Sequence, residues 1–69
     1  MFDRKKVADR LSELRKEKGM SQDELANALE TSRSAIAAYE TGQRIPRDEV
    51  KVRIAEFFGV SVQAIFFAA

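Results

Sequence analysis

Residues Ser21 to Glu40 read SQDELANALETSRSAIAAYE, and the way this stretch folds decides the rest of the chain. Ser21-Gln-Asp-Glu24 has the S-x-x-E form of a capping box, in which the serine oxygen accepts the N3 amide and the glutamate reaches back to the serine amide. The pattern predicts a helix beginning at Gln22, with Leu25, Ala26 and Leu29 on its inner face. Glu30-Thr31 ends it after about two turns. Ser32 is a good N-cap for a second short helix that carries Ile36 and Tyr39 inward and stops at Thr41-Gly42, where glycine suits the cap. Two helices joined by a turn of about three residues must cross steeply. Such a crossing needs a small residue in the first helix and an apolar lock in the second; Ala26 and Ile36 meet those needs.

Outward from this unit the apolar spacing stays helical. From Arg4 to Lys18, Val7, Leu11 and Leu14, with Ala8 beside them, form the i, i+4, i+7 stripe of an amphipathic helix, and Gly19 stops it. Ile45-Pro46 marks a loop, and a further helix begins just beyond it, with Asp48 and Glu49 in the first turn where the helix dipole favours acids. Its inner face reads Val50, Ile54, Phe57 and Phe58. Gly59-Val60-Ser61 ends that helix and caps a last short one containing Val62, Ile65 and Phe66. The expected fold class is all-α: five helices in a single domain over residues 1–69, with no alternating strand pattern, internal repeat or low-complexity segment. Leu11, Leu14, Leu25, Leu29, Ile36, Tyr39, Ile54 and Phe57 are the expected core, and Ala35 a packing residue. Short helices joined by short turns favour a compact cluster over a coiled coil.

The composition narrows the chemistry. A chain of 69 residues buries only about 60% of the surface its unfolded form exposes, enough for one small core. Cysteine and histidine are both absent, which removes disulfides, thiolate metal sites and the commonest general base. With no glycine-rich phosphate loop and no recognisable constellation of carboxylates, the expectation is a chain that is not an enzyme and uses neither cofactor nor metal. No apolar run approaches the roughly 18–20 residues needed to cross a bilayer, and MFDRKKVADR lacks the apolar core of a signal peptide, so a soluble intracellular protein is expected. The net charge of +1 conceals an uneven distribution. Residues 1–18 carry seven Lys/Arg against four acids, residues 19–40 one against four, and residues 41–53 four against two. If the basic flanks converge in space, they form a local positive surface.

The helix pair at 22–40 has the spacing of a helix-turn-helix, whose second helix lies in the DNA major groove with its N-terminal residues at base edges. LRKEKGMSQDELANALETSRSAIAAYETGQRIP, from Leu14 to Pro46, and the IAEFFGVSVQAIF that ends at Phe66 resemble the Cro/cI-type (Xre-type) helix-turn-helix family of phage repressors and bacterial regulators. The combination of G-x-S-Q-x-x-L-A, S-x-x-x-I-x-x-Y-E-x-G and I-P is specific for the fold, much less so for the biological role. The resemblance implies a lambda-repressor-like fold with the helix-turn-helix in helices two and three. It also implies sequence-specific binding of double-stranded DNA as a homodimer, by a cytoplasmic transcriptional regulator.

Carried over by position, the resemblance places Gln22 against a phosphate and as a prop for the recognition helix; a plain polar first-turn residue is the alternative. Ser32, Arg33 and Ser34 match the cap and first-turn positions that touch backbone and base edges. Arg33 is the leading reader, because a guanidinium bonds O6 and N7 of guanine together, worth roughly 1–3 kcal/mol of discrimination. A solvated charge or a phosphate contact is the plainer alternative for it. Ala37 and Ala38 occupy positions where relatives often carry longer polar readers, leaving methyl contact with thymine or simple clearance. Gly42, Gln43, Arg44 and Arg47 match the loop that grips the sugar-phosphate backbone through amide and side-chain donors, contacts that fix register without reading sequence. Arg15 and Glu40 match a structural ion pair, with Arg15 also near a phosphate. Two positions depart from the family pattern. Glu30 stands where a left-handed glycine is frequent, at a cost of about 1–2 kcal/mol, and Arg47 stands where Ser or Thr usually caps the fourth helix.

With few direct readers, one half-site binds weakly, so specificity needs two copies on a pseudo-palindromic operator. The C-terminal segment 61–69, with Val62, Ile65, Phe66 and Phe67, is the expected association surface. A stub of a longer repressor and a disordered tail are the other readings of it. The leading function is a repressor that occupies an operator. An antitoxin-like or adaptor protein, holding a protein partner at the apolar C-terminus with DNA binding secondary, is the alternative.

Overall fold

The computed structural model describes residues 3–67, and every regular element in them is helical: α1 (Arg4–Glu17), α2 (Gln22–Ala28), α3 (Arg33–Glu40), α4 (Asp48–Phe58) and α5 (Val62–Phe66). Local capping sets most of the starts. Asp3 accepts the Lys5 and Lys6 amides ahead of α1. Ser21 and Glu24 form the reciprocal capping box at α2, while the Ser32 and Ser61 hydroxyls accept the Ala35 and Ala64 amides. Arg47 precedes α4 with no side-chain cap bond, so this helix starts on its first-turn acids alone.

Four helices end on one pattern, an amide bonded three residues back followed by an amide bonded five residues back. Gly19 and Met20 donate to Lys16 and Arg15, Glu30 and Thr31 to Asn27 and Ala26, Gly42 and Gln43 to Tyr39 and Ala38, and Gly59 and Val60 to Glu56 and Ala55. This Schellman closure requires a left-handed residue where the chain turns away. Gly19, Gly42 and Gly59 supply it at φ +68, +78 and +69, and Glu30 adopts the same region at φ +56.

The core is a single cluster in which α1 packs on α3 and α5, α2 on α3, and α4 on α5. Leu11, Leu25, Leu29, Ile36, Ile54 and Phe66 are fully enclosed. Phe57, expected among them, is only half-buried. Its ring meets Phe58 edge-on, with centroids 5.1 Å apart, and the Lys18 ammonium lies 5.1 Å above it. In so small a domain the middle of α4 reaches the interior through Ile54 and Ala55, and the two aromatics close the edge of the core.

Candidate nucleic-acid interface

The α3 helix presents two different faces. Ala35, Ile36 and Tyr39 are buried, whereas Arg33 and Ser34 are exposed and Ala37 and Ala38 half-buried on the opposite side. Thr41 follows Ala37 by one helical turn and extends the exposed stripe. Its hydroxyl donates to the Ala37 and Ala38 carbonyls. The i+4 spacing from Ala37 is the signal that finds Thr41, which the family motif alone passes over. Ser32 is exposed and its hydroxyl oxygen accepts the Ala35 amide.

The far end of α3 is pinned to α1. Arg15 donates from Nε to Glu40 Oε2 at 2.7 Å and from Nη2 to Glu40 Oε1 at 3.0 Å, and its Nη1 bonds the Met20 carbonyl at 2.7 Å. Glu40 holds the Arg15 guanidinium even more firmly protonated than usual, against the opposing effect of burial. All three guanidinium nitrogens have protein acceptors, which fix Arg15 between α1 and the end of α3. Gln22 Nε2 adds a third bond to this carboxylate, at 3.2 Å from Oε1. Gln22 therefore touches the recognition helix directly through Glu40.

The loop after α3 differs from expectation in its donors. The Gly42, Gln43 and Arg44 amides all turn back, Gly42 to Tyr39 and the other two to Ala38, and so cap α3 instead of pointing outward. The outward donors are side chains: Gln43, Arg44 and Arg47 are all exposed. The Arg44 guanidinium rests 5.7 Å from the Tyr39 ring centroid, which restrains it at the root of the loop. A Cβ on Gly42 would lie 3.8 Å from the Arg4 carbonyl oxygen, and an open cleft of about 530 Å³ between α1 and the end of α3 is lined by Arg4, Lys5, Thr41 and Gly42, among others. The N-terminal basic flank thus adjoins the basic loop. Arg4 and Lys5 escape sequence reasoning because only the packing of α1 on α3 brings them there.

These features make a helix-turn-helix whose exposed helix is fixed at its rear. The sequence pattern of the helix-turn-helix family matches residues 11–65. The chain belongs to the Xre-type helix-turn-helix family. It is 31% identical over 55 residues to the cryptic phage CTXphi transcriptional repressor RstR of Vibrio cholerae, covering 80% of this chain and 50% of that one. Among solved structures it resembles a transcriptional regulator from Listeria innocua (26% identity, TM-score 0.86, 100% of this chain, 62% of that one). It also resembles the restriction-modification controller protein C.AhdI from Aeromonas hydrophila (32% identity, TM-score 0.82, 90% of this chain, 94% of that one). The chain spans half the length of RstR and somewhat less than two thirds of the Listeria protein.

At the other end of this helix-turn-helix domain, the structure corrects part of the expected association surface. Ile65 and Phe66 are 4% and 2% exposed, because the short α5 turns both side chains onto α1 and the common core. They are interior residues, not surface. Val62 is half-buried and Phe67 54% exposed, with the Lys51 ammonium over both the Phe66 and Phe67 rings at about 5.5 Å. Ala68 and Ala69, which complete the expected segment, lie outside the described residues. No described helix is long and apolar enough to cross a membrane, and no cluster of carboxylates among the described residues is arranged to hold a metal ion.

Proposed function

We infer that the chain is a sequence-specific DNA-binding transcriptional regulator, most simply a repressor that occupies a pseudo-palindromic operator as a homodimer. One observation carries the reading: the first turn of α3 stands exposed with Arg33 and Ser34 outward, while its rear is locked through Ile36, Tyr39 and Glu40. An eight-residue helix is about 12 Å long, comparable with the roughly 12 Å width of the major groove. The small side chains of Ala37 and Ala38 let its middle approach the groove floor. Arg33 reads a guanine edge, Ser34 assists it, and the alanines offer only methyl contact. Gln22, Ser32, Gln43, Arg44 and Arg47, joined by Arg4 and Lys5, set the register on the phosphates. So few readers make one half-site weak, and the exposed Phe67 at the end of α5 supports pairing of two copies.

Selection of bound sequences from a random DNA pool tests this directly. The expected product is two inverted half-sites with centres about 34–36 Å apart. An unenriched pool would remove the DNA-binding reading, and a single asymmetric half-site would remove the homodimer. On the selected site, Arg33→Ala should weaken specific binding more than binding to random DNA. Arg44→Ala should weaken both alike and lower the salt slope by roughly one unit.

A further inference from the structure

Arg53 lies on the exposed side of α4, yet its Nη1 donates to the Leu29 carbonyl at 3.1 Å. That carbonyl belongs to the cap of α2, immediately before the left-handed Glu30. The Schellman bonds of this turn occupy the Ala26 and Asn27 carbonyls, and the Arg53 bond occupies that of the capping residue Leu29, two positions beyond Asn27. A guanidinium therefore sits at the negative end of the α2 dipole. Of the four helix ends that close this way, this one lacks glycine and is the one braced by an arginine from another helix. A left-handed conformation outside glycine persists only where its surroundings over-determine it.

The brace matters because of what the turn joins. The rear of α3 is tied to α1 and α2 through Glu40 and its inner face packs on α2 in the core, whereas residues 29–32 are the covalent link that sets where its first turn begins. We propose that Arg53 is a positioning residue for DNA recognition, its hydrogen bond to the Leu29 carbonyl fixing the α2–α3 turn and hence the placement of Arg33 and Ser34 relative to Gln22. The proposal rests on the DNA-binding reading above. Base-edge hydrogen bonds form over a donor-acceptor range of only about 0.5 Å, so a turn that relaxes costs base contacts before it costs phosphate attraction.

Arg53→Met keeps the aliphatic stem and removes the donor. With the variant checked as folded by circular dichroism, affinity for the selected operator should fall roughly tenfold, affinity for random DNA should change little, and the salt slope should stay as in the parent chain. The Thr31 amide, whose bond to Ala26 closes the turn, should exchange faster with solvent. Adding Glu30→Gly to Arg53→Met should restore most of the lost discrimination, because glycine adopts φ near +60° without strain. Equal loss on operator and random DNA with a slope lower by about one would make Arg53 a phosphate contact and overturn the proposal. So would unchanged operator affinity, or failure of Glu30→Gly to rescue. The Thr31 exchange is read without DNA: a wild-type chain that selects no sequence defeats the DNA-binding reading, whereas an unchanged Thr31 rate in Arg53→Met defeats the brace itself.

Discussion

Glu30 is the one non-glycine residue with positive φ among the described residues, and two opposing effects decide what its replacement would do. Glycine would relieve about 1–2 kcal/mol of left-handed strain and would add about 0.4–1 kcal/mol of unfolded-state entropy to be lost on folding. Relief of strain outweighs that entropy, so Glu30→Gly should stabilise by about 0.5–1 kcal/mol and raise the melting midpoint by a few degrees in a thermal scan. An unchanged or lowered midpoint would show that the Arg53 bond and its neighbours have already absorbed the strain. This strain was legible in the sequence, because the family pattern favours glycine at the position. The brace was not, because Arg53 follows Leu29 by 24 residues and nothing in its spacing distinguishes it from a solvated charge.

At the scale of the helix, the capping box of α2 carries the clearest pH dependence. The Ser21 amide, and after it the Ser21 hydroxyl, hold the Glu24 carboxyl below its ordinary value of 4.5. A carboxyl depressed in the folded state contributes its stability in full above that ordinary value and loses it as the pH falls through the lower folded one. Glutamine keeps an acceptor at N3 and does not titrate. Urea midpoints measured from pH 7 down to pH 3 should therefore fall more steeply in the parent chain than in Glu24→Gln; parallel curves would show that the box does not depend on the charge. Ser32→Ala, which removes the cap of α3, should cost about 1 kcal/mol at neutral pH. Helix starts and stops were the most readable part of this fold, since each depends on groups no more than five residues apart.

Across the whole molecule, two side chains next to each other in sequence have different fates. Phe66 is enclosed between α5 and the core while Phe67 is more than half exposed. Phe66→Ala should cost about 3–5 kcal/mol, whereas Phe67→Ala should change monomer stability by less than about 1 kcal/mol and instead weaken self-association measured by sedimentation. A Phe67→Ala chain that associates as the parent does would place the dimer contact elsewhere. The tie between α1 and α3 can be tested by substitution as well. Glu40→Ala strands an Arg15 guanidinium that is 13% exposed, at a cost of about 2–3 kcal/mol. Replacing both partners should cost less than the sum of the single changes, as a double-mutant cycle would measure.

By itself the sequence determined the five helices, the serine caps of α2, α3 and α5 and the α3 stripe that carries Arg33 and Ser34, because capping and helical periodicity act over a few residues and are written in neighbouring letters. Tertiary structure alone decided that Ile65 belongs to the interior, that the loop amides turn back onto α3, that Arg4 lies beside Gly42, and that Arg53 braces the α2–α3 turn. Most of these depend on groups distant in the chain, and the loop amides on which way a short turn closes. In each case burial and the direction of a hydrogen bond are settled by packing, which no periodicity reports.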